Sequence, residues 1–273
     1  MSNGAPLPPP GSPLGSLAPL GGRRFARFHN LILVATTPST NDLGRLIVER
    51  MLAESEEIRL TAIVAGEQTA GRGRAGRTWA SLPGALALSV IVPWPEGPGR
   101  VRLPIETGIL LANGLSSAFG IEVRLKWPND LLVSRRKIGG LLIEARSNDE
   151  GEGWAVIGLG LNVRGTRADL DAKGLGEATS LEACGVAPTL LEGDAPLDAV
   201  LTILDERVGE PCDEPLPDAY RAVSAHAPGD LLTVADGVRT HTGAFAGITP
   251  DGFLRLATKD GDETLVSGDV VLF

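Results

Sequence analysis

Gly66-Glu67-Gln68-Thr69-Ala70-Gly71-Arg72-Gly73-Arg74-Ala75-Gly76-Arg77-Thr78-Trp79 is the stretch from which the rest of the chain is read. Residues 71–77 hold three arginines and three glycines, in a chain whose formal net charge is -9. Glycine lets a backbone take positive φ and come close to a ligand. Arginine supplies planar, permanently charged forks that suit carboxylate and phosphate. Together they describe a loop that wraps an anion. A flexible solvated loop, or an arginine-glycine segment that touches RNA, is the plainer reading of the same residues.

Outward from the loop, residues 60–65 read as a buried strand that delivers the chain into it, and residues 85–92 as a strand that carries the chain away. Upstream, Ser39-Thr40-Asn41-Asp42 marks a helix start, with Ser39 and Asp42 at capping-box spacing. Leu43, Leu46, Ile47, Val48 and Met51 give that helix its apolar face. Downstream, residues 103–118 form a helix with Pro104 in its first turn. Residues 123–126, 131–133, 138–145 and 154–163 are strands. Residues 164–179 are polar and glycine-bearing and read as a mobile loop. Residues 188–208 and 216–224 are helical. From about Pro228 the texture changes to short strands separated by Gly237, Asp251-Gly252, Asp260-Gly261 and Gly268, a small β-barrel of about 45 residues. The expected division is a Pro/Gly-rich disordered tail over 1–23, a larger α+β domain over 24–225 and the small barrel over 226–273.

Charge is unevenly spread. Residues 1–146 carry 17 Lys and Arg against 11 Asp and Glu, a balance of +6, and residues 147–273 carry 8 against 23, a balance of -15. A basic half in a protein of pI near 4.9 suits a local anion site and disfavours a nucleic-acid surface. Cys184 and Cys212 fit no metal spacing and suggest a reducing compartment, here the cytoplasm. The three histidines are scattered and form no Ser-His-Asp set. Six prolines within residues 1–22 break any signal-peptide core, and no run of about 18 apolar residues marks a membrane span.

Three further segments carry chemistry. In Lys126-Trp127-Pro128-Asn129-Asp130 the proline biases Trp127 to extended geometry, fixing the direction of Lys126 at its strand end. A lysine so held can grip a carboxylate and a phosphate at once, although a strand-end surface lysine beside a core tryptophan has the same sequence. In Lys137-Ile138-Gly139-Gly140 two glycines inside a strand mean a bulge or a close approach by something else. Gly158-Leu159-Gly160-Leu161-Asn162 alternates small and apolar residues, which would line a narrow slot. Tight strand packing accounts for either glycine segment alone.

In this order, with Ser39-Thr40-Asn41 and the glycine-arginine loop, these segments resemble the biotin–protein ligases over roughly residues 25–273. The resemblance implies an α+β fold with a central mixed sheet flanked by helices, of the class II synthetase kind, and an SH3-like C-terminal barrel. It implies ATP-dependent attachment of biotin to a lysine of a carboxylase biotin carrier domain through biotinyl-5′-AMP, with Mg²⁺ expected, by a monomer or homodimer. Ser39, Thr40 and Gln68 would bond the ureido ring, joined on the biotin side by Asn41 and Gly71. Arg72 would close over biotin, and Gly140 and Gly160 would give the ring room. Arg74 and Arg77 would face the phosphates, and Lys126 would bridge biotin carboxylate and α-phosphate. Asn129, Asn162 and Trp79 would lie on the nucleotide side, Trp79 equally serving to support the loop, and Asp130 would help hold Mg²⁺. The 164–179 loop would order over the adenine. The larger family members carry an N-terminal winged helix for which there is no room ahead of Phe25, so a repressor role is not expected. A lipoate–protein ligase shares the logic but needs no ureido contacts. A nucleic-acid-binding regulator is a third reading.

Overall fold

The computed structural model describes residues 25–80, 82, 84–94, 101–147 and 153–272. The tail expected over 1–23 lies outside them.

Seven strands form one mixed sheet. They are β1 (Asn30–Thr37), β2 (Thr61–Gln68), β3 (Leu86–Trp94), β4 (Arg124–Lys126), β5 (Asp130–Val133), β6 (Arg136–Ser147) and β7 (Gly153–Leu161). Their order in the sheet is β1-β2-β3-β7-β6-β5-β4. Only β1 and β2 run parallel, because α1 (Thr40–Ala53) crosses between them; the other neighbours are antiparallel.

Alternation along the strands feeds two cores. Ala62, Val64, Leu88, Val90, Ile157 and Leu159 face one side, where α2 (Leu103–Phe119), α4 (Ala195–Arg207) and α5 (Leu216–Val223) pack. Ile63, Ile91, Trp154 and Val156 face the other side and are covered by Val48 of α1. The two helices α2 and α4 approach closely at Gly114, where an added Cβ would lie 2.5 Å from Ile203 Cγ2.

Five short strands follow: β8 (Leu231–Ala235), β9 (Thr240–Ile248), β10 (Leu254–Thr258), β11 (Gly261–Leu265) and β12 (Asp269–Leu272). They form an antiparallel sheet in the order β11-β10-β9-β8-β12. This sheet is fastened to the first through buried groups. Trp127 is 2 % exposed, its Nε1 donates to the Gly252 carbonyl at 3.0 Å, and the Trp127–Pro128 peptide is cis. Ala225 N donates to Leu125 O at 3.0 Å, and the Tyr220 ring stands edge-on to Phe245. The segment that carries Lys126 is therefore also a point where the two sheets are joined.

Four sequence expectations need correction. β1 was not foreseen: it is an edge strand, only partly buried, without clean alternation. The helix expected over 188–208 is a 3₁₀ turn at Pro188–Leu190 followed by α4, interrupted at Gly193, whose φ is +53°. The loop expected over 164–179 contains α3 (Arg167–Ala172), closed by a Thr166/Asp169 capping box. It is stitched to β6 by Lys137 N to Glu177 O at 2.9 Å and Thr179 N to Lys137 O at 2.8 Å. The capping box expected at Ser39 and Asp42 is absent. Ser39 makes no side-chain cap, and the Asp42 carboxylate is taken by Arg45 at 3.1 Å and Arg72 at 2.9 Å.

Candidate active site

The strand β2 ends at Gln68 and the chain turns at once into the glycine-arginine segment, which folds back on itself. Trp79 N donates to Gly71 O at 2.9 Å and Gly73 N to Arg77 O at 2.7 Å. A 3₁₀ turn over Arg74–Gly76, with Ala75 at φ +52° and Gly76 at +73°, closes the tip. This folded loop roofs a cavity of about 130 Å³. Its walls come from the start of α1, the middle of β6 and β7, and the turn after Lys126.

Most of the residues expected in the site meet there. Ser39, Asn41, Gln68, Arg72, Arg74, Arg77, Trp79, Asn129, Asp130, Gly140 and Gly160 line one cavity. Thr40, Gly71, Lys126 and Asn162 are not among the residues that line it. Thr40 supports it directly: its backbone N and its hydroxyl both donate to Gln68 Oε1, at 2.8 and 3.1 Å. That bond fixes the Gln68 amide with its nitrogen outward. Gly71 packs under Trp79, where an added Cβ would meet the Trp79 carbonyl at 3.0 Å.

Several contributors were not anticipated. The Ser89 hydroxyl lies 2.7 Å from both Thr40 Oγ1 and Asn41 Oδ1, fully buried under the α1 start. Asn41 Nδ2 donates to Leu142 O at 3.1 Å and Glu144 Oε2 at 2.9 Å. Glu144 also holds Arg72 Nη2 at 2.7 Å, so the polar floor and the first arginine share one carboxylate. A serine inside a strand pattern, Ser89, was the one local signal of this network. Lys137 also lines the cavity. Its Nζ sits 5.6 Å from the Trp79 ring centroid, a cation–π arrangement, and 2.5 Å from Asp130 Oδ1.

The glycines act through space rather than through φ. A Cβ on Gly158 would lie 2.3 Å from Asn41 Oδ1, and one on Gly160 would lie 2.4 Å from Trp79 Cε2. At Gly160 the room is thus taken by the indole, which is how the roof of the loop seats on β7. At Gly140 the neighbours are Lys137 Nζ and Asp130 Oδ1, at 3.2 and 3.4 Å.

Positive charge dominates the side of the turn. The Lys126 ammonium stands 4.0 Å from Asp130 Oδ2. Burial pushes its pKa below the ordinary lysine value; Asp130 works against that, and Lys137 adds to it. Burial likewise lowers Arg74, against the pull of Asp269. Arg74 Nη1 donates to Asn129 Oδ1 at 3.2 Å and to Gly268 O at 3.3 Å. Arg77 Nη2 pairs with Asp269 Oδ1 at 2.8 Å. Asn162 is buried behind the slot, its Nδ2 donating to Thr179 O at 3.0 Å. Asn162 Oδ1 and the Trp79 indole N–H have no partner among the described residues.

Asp130 does not fit a metal ligand as it stands. Its carboxylate is committed to two lysines, and no three His, Cys, Asp or Glu side chains cluster among the described residues. Nor does any helix among them have the length and apolarity to cross a membrane.

Residues 33–162 match the biotin/lipoate A/B protein ligase family, and residues 233–272 match the biotin protein ligase C-terminal domain. The chain is 30% identical over 241 residues to the bifunctional ligase/repressor BirA of Bacillus spizizenii, covering 81% of this chain and 69% of that one. It is 28% identical over 216 residues to the biotin–[acetyl-CoA-carboxylase] ligase of Paracoccus denitrificans, covering 76% and 88%. The biotin protein ligase from Aquifex aeolicus, solved with biotin and ATP, superposes with a TM-score of 0.67 at 26% identity, over 89% of this chain and 98% of that one. The chain belongs to the biotin protein ligase family.

Proposed function

We propose that this protein activates biotin with ATP and transfers it to a lysine of a carboxylase biotin carrier domain. One observation carries the reading. A single cavity combines an uncharged polar floor, Ser39, Asn41 and Gln68, with a cationic roof and side, Arg72, Arg74, Arg77 and Lys137. A neutral cyclic urea and an anionic phosphate chain need those two environments side by side. A dithiolane ring would leave the hydrogen-bonding floor unused, which disfavours the lipoate reading.

In the first step a biotin carboxylate oxygen attacks the α-phosphorus of ATP. The bond from that phosphorus to the bridging oxygen breaks, and pyrophosphate leaves. In the second step the lysine amine attacks the acyl carbon, the acyl–oxygen bond breaks, AMP leaves, and the amine proton passes to solvent. Neither step needs a protein nucleophile. The chain contributes placement and charge. Gln68, fixed by Thr40, orients the ureido ring, and Asn41, held by Ser89, Leu142 and Glu144, shapes the floor beneath it. Lys126 and Lys137, sharing Asp130, meet the negative charge that gathers between carboxylate and α-phosphate. Arg74 and Arg77 take the phosphates and Asn162 the nucleotide side, while the loop seated on Gly160 through Trp79 keeps water from the anhydride.

The reading is tested by incubating the protein with biotin, ATP and an apo biotin carboxyl carrier domain and weighing the domain. A gain of one biotinyl group, dependent on ATP, supports it. An unchanged mass with biotin, but a gain with lipoate, would replace it by the lipoate reading.

A further inference from the structure

A second hollow of about 150 Å³ opens beside the first and shares Arg74, Asn129 and Leu141 with it. Its character is opposite. Apart from Arg74 and Asn129 its walls are apolar or backbone, with Trp127 and Pro128 at the base and the rest from three further places. Val101 and Pro104 enter from the start of α2, Ile143 from β6, and Phe253 and Val266 from turns of the C-terminal sheet. Val266 is 66% exposed and Val101 46%, so two aliphatic side chains, one just ahead of α2 and one from the turn between β11 and β12, face solvent at one depression. Exposed aliphatic residues gathered around a concavity mark a surface that another molecule covers.

Its occupant follows from chemistry and position. A purine needs partners for its ring nitrogens and amine. The two polar side chains here are already engaged, Arg74 with Asn129 Oδ1 and Gly268 O, and Asn129 Nδ2 with Leu141 O at 2.6 Å. A base seated in this hollow would lose its hydrogen bonds to water without replacement. The transfer step, by contrast, needs a protein-borne lysine to reach the anhydride beside Arg74 and Asn129. The residues next to that lysine must then rest on whatever surface adjoins the cavity, and this hollow does.

We propose that this hollow is the docking site of the acceptor protein, taking an apolar side chain next to the acceptor lysine while the amine enters past Arg74 and Asn129. The inference rests on the ligase reading above and adds the surface that selects the acceptor.

Val266→Glu and Val101→Glu test it, each measured in three reactions. These are biotin-dependent ATP–pyrophosphate exchange, release of biotinyl hydroxamate on adding hydroxylamine, and transfer to an apo biotin carboxyl carrier domain. Exchange and hydroxamate formation should match wild type, which also shows that the variants fold. Transfer should lose about tenfold or more in kcat/KM, carried by KM for the carrier domain, as when an apolar anchor of an interface is replaced by a charge. Unchanged transfer would overturn the docking site. A raised KM for ATP in the exchange reaction would overturn it differently, by assigning the hollow to the nucleotide. If wild type itself showed no biotin-dependent exchange, the ligase reading would fail rather than this surface.

Discussion

Arg77 Nη2 and Asp269 Oδ1 lie 2.8 Å apart, joining the tip of the glycine-arginine loop to the first residue of β12. Arg74 Nη1 stands 3.7 Å from the same oxygen. The anion gripped by the two arginines is thus a carboxylate of the chain's own C-terminal sheet.

Phosphate and Asp269 then compete for Arg77, and Asp269→Asn removes the competitor while keeping its shape. A partly exposed pair contributes about 0.2–1 kcal/mol, so KM for ATP in the exchange reaction should fall by up to about fivefold. KM for biotin should stay unchanged. A rise in KM for ATP would mean that Asp269 shapes the loop for binding instead.

Lys126→Ala should leave the fold intact and slow adenylate formation by about 10²–10³, the usual loss when a charge contact made in the transition state is removed. Single-turnover formation of biotinyl-AMP measures it. Wild-type speed would transfer the role to Lys137, which shares Asp130 with it.

Gly160→Ala puts a methyl 2.4 Å from Trp79 Cε2, so the indole must lift off β7. Overpacking of this kind costs about 1–3 kcal/mol, and the adenylate should dissociate faster as the loop loses its seat. Gly176→Ala, where nothing lies within 4 Å, is the matched control. Equal dissociation rates for the two variants would show that the ring does not anchor the loop.

His226 is held near a pKa of about 4 by burial, with Lys126 adding to the shift and Asp230 opposing it. Below about 6.5 the unfolded chain takes up a proton that the folded chain refuses, so this residue's contribution falls as pH drops from about 6.5 to about 4. His241 works in the opposite direction. It is raised by hydrogen bonds to Asp236 and Glu263, its stabilisation is complete below about 6.5, and it is lost as pH rises through the folded value. His226→Phe should therefore flatten the acid limb of the thermal-stability profile, and His241→Gln the alkaline one. Profiles parallel to wild type would remove both assignments.

The loop and its neighbours were legible because their signals are local. Arginines and glycines in seven positions, Pro128 after the lysine strand, and glycines in β6 and β7 all sit where chemistry and backbone sterics demand rare residues. The supporting partners were not. Glu144 and Ser89 look like ordinary strand residues until Asn41 is brought against them, and Asp269 reaches Arg77 only through the docking of two sheets. The cap at Ser39 was misread because residue type cannot tell a capping serine from one turned into a cavity. The 164–179 segment read as loose because its anchors, the Lys137 backbone and the buried Leu170, lie outside any local pattern.

Arg74→Gly should weaken the hold on biotinyl-AMP more than the hold on biotin, because only the adenylate presents the phosphate. A charge-assisted bond contributes about 1.5–3 kcal/mol, so release should quicken by about 10- to 100-fold. Bystander lysines should then become biotinylated. Labelling confined to the carrier domain would show that Arg74 does not hold the phosphate.

Exchange of labelled pyrophosphate into ATP, run with biotin, with lipoate and with neither, tests the central claim most directly, since it needs no acceptor protein. The account predicts exchange that requires biotin, is not supported by lipoate, and collapses in Lys126→Ala. Exchange that proceeds equally with lipoate, or without any acid, would contradict it.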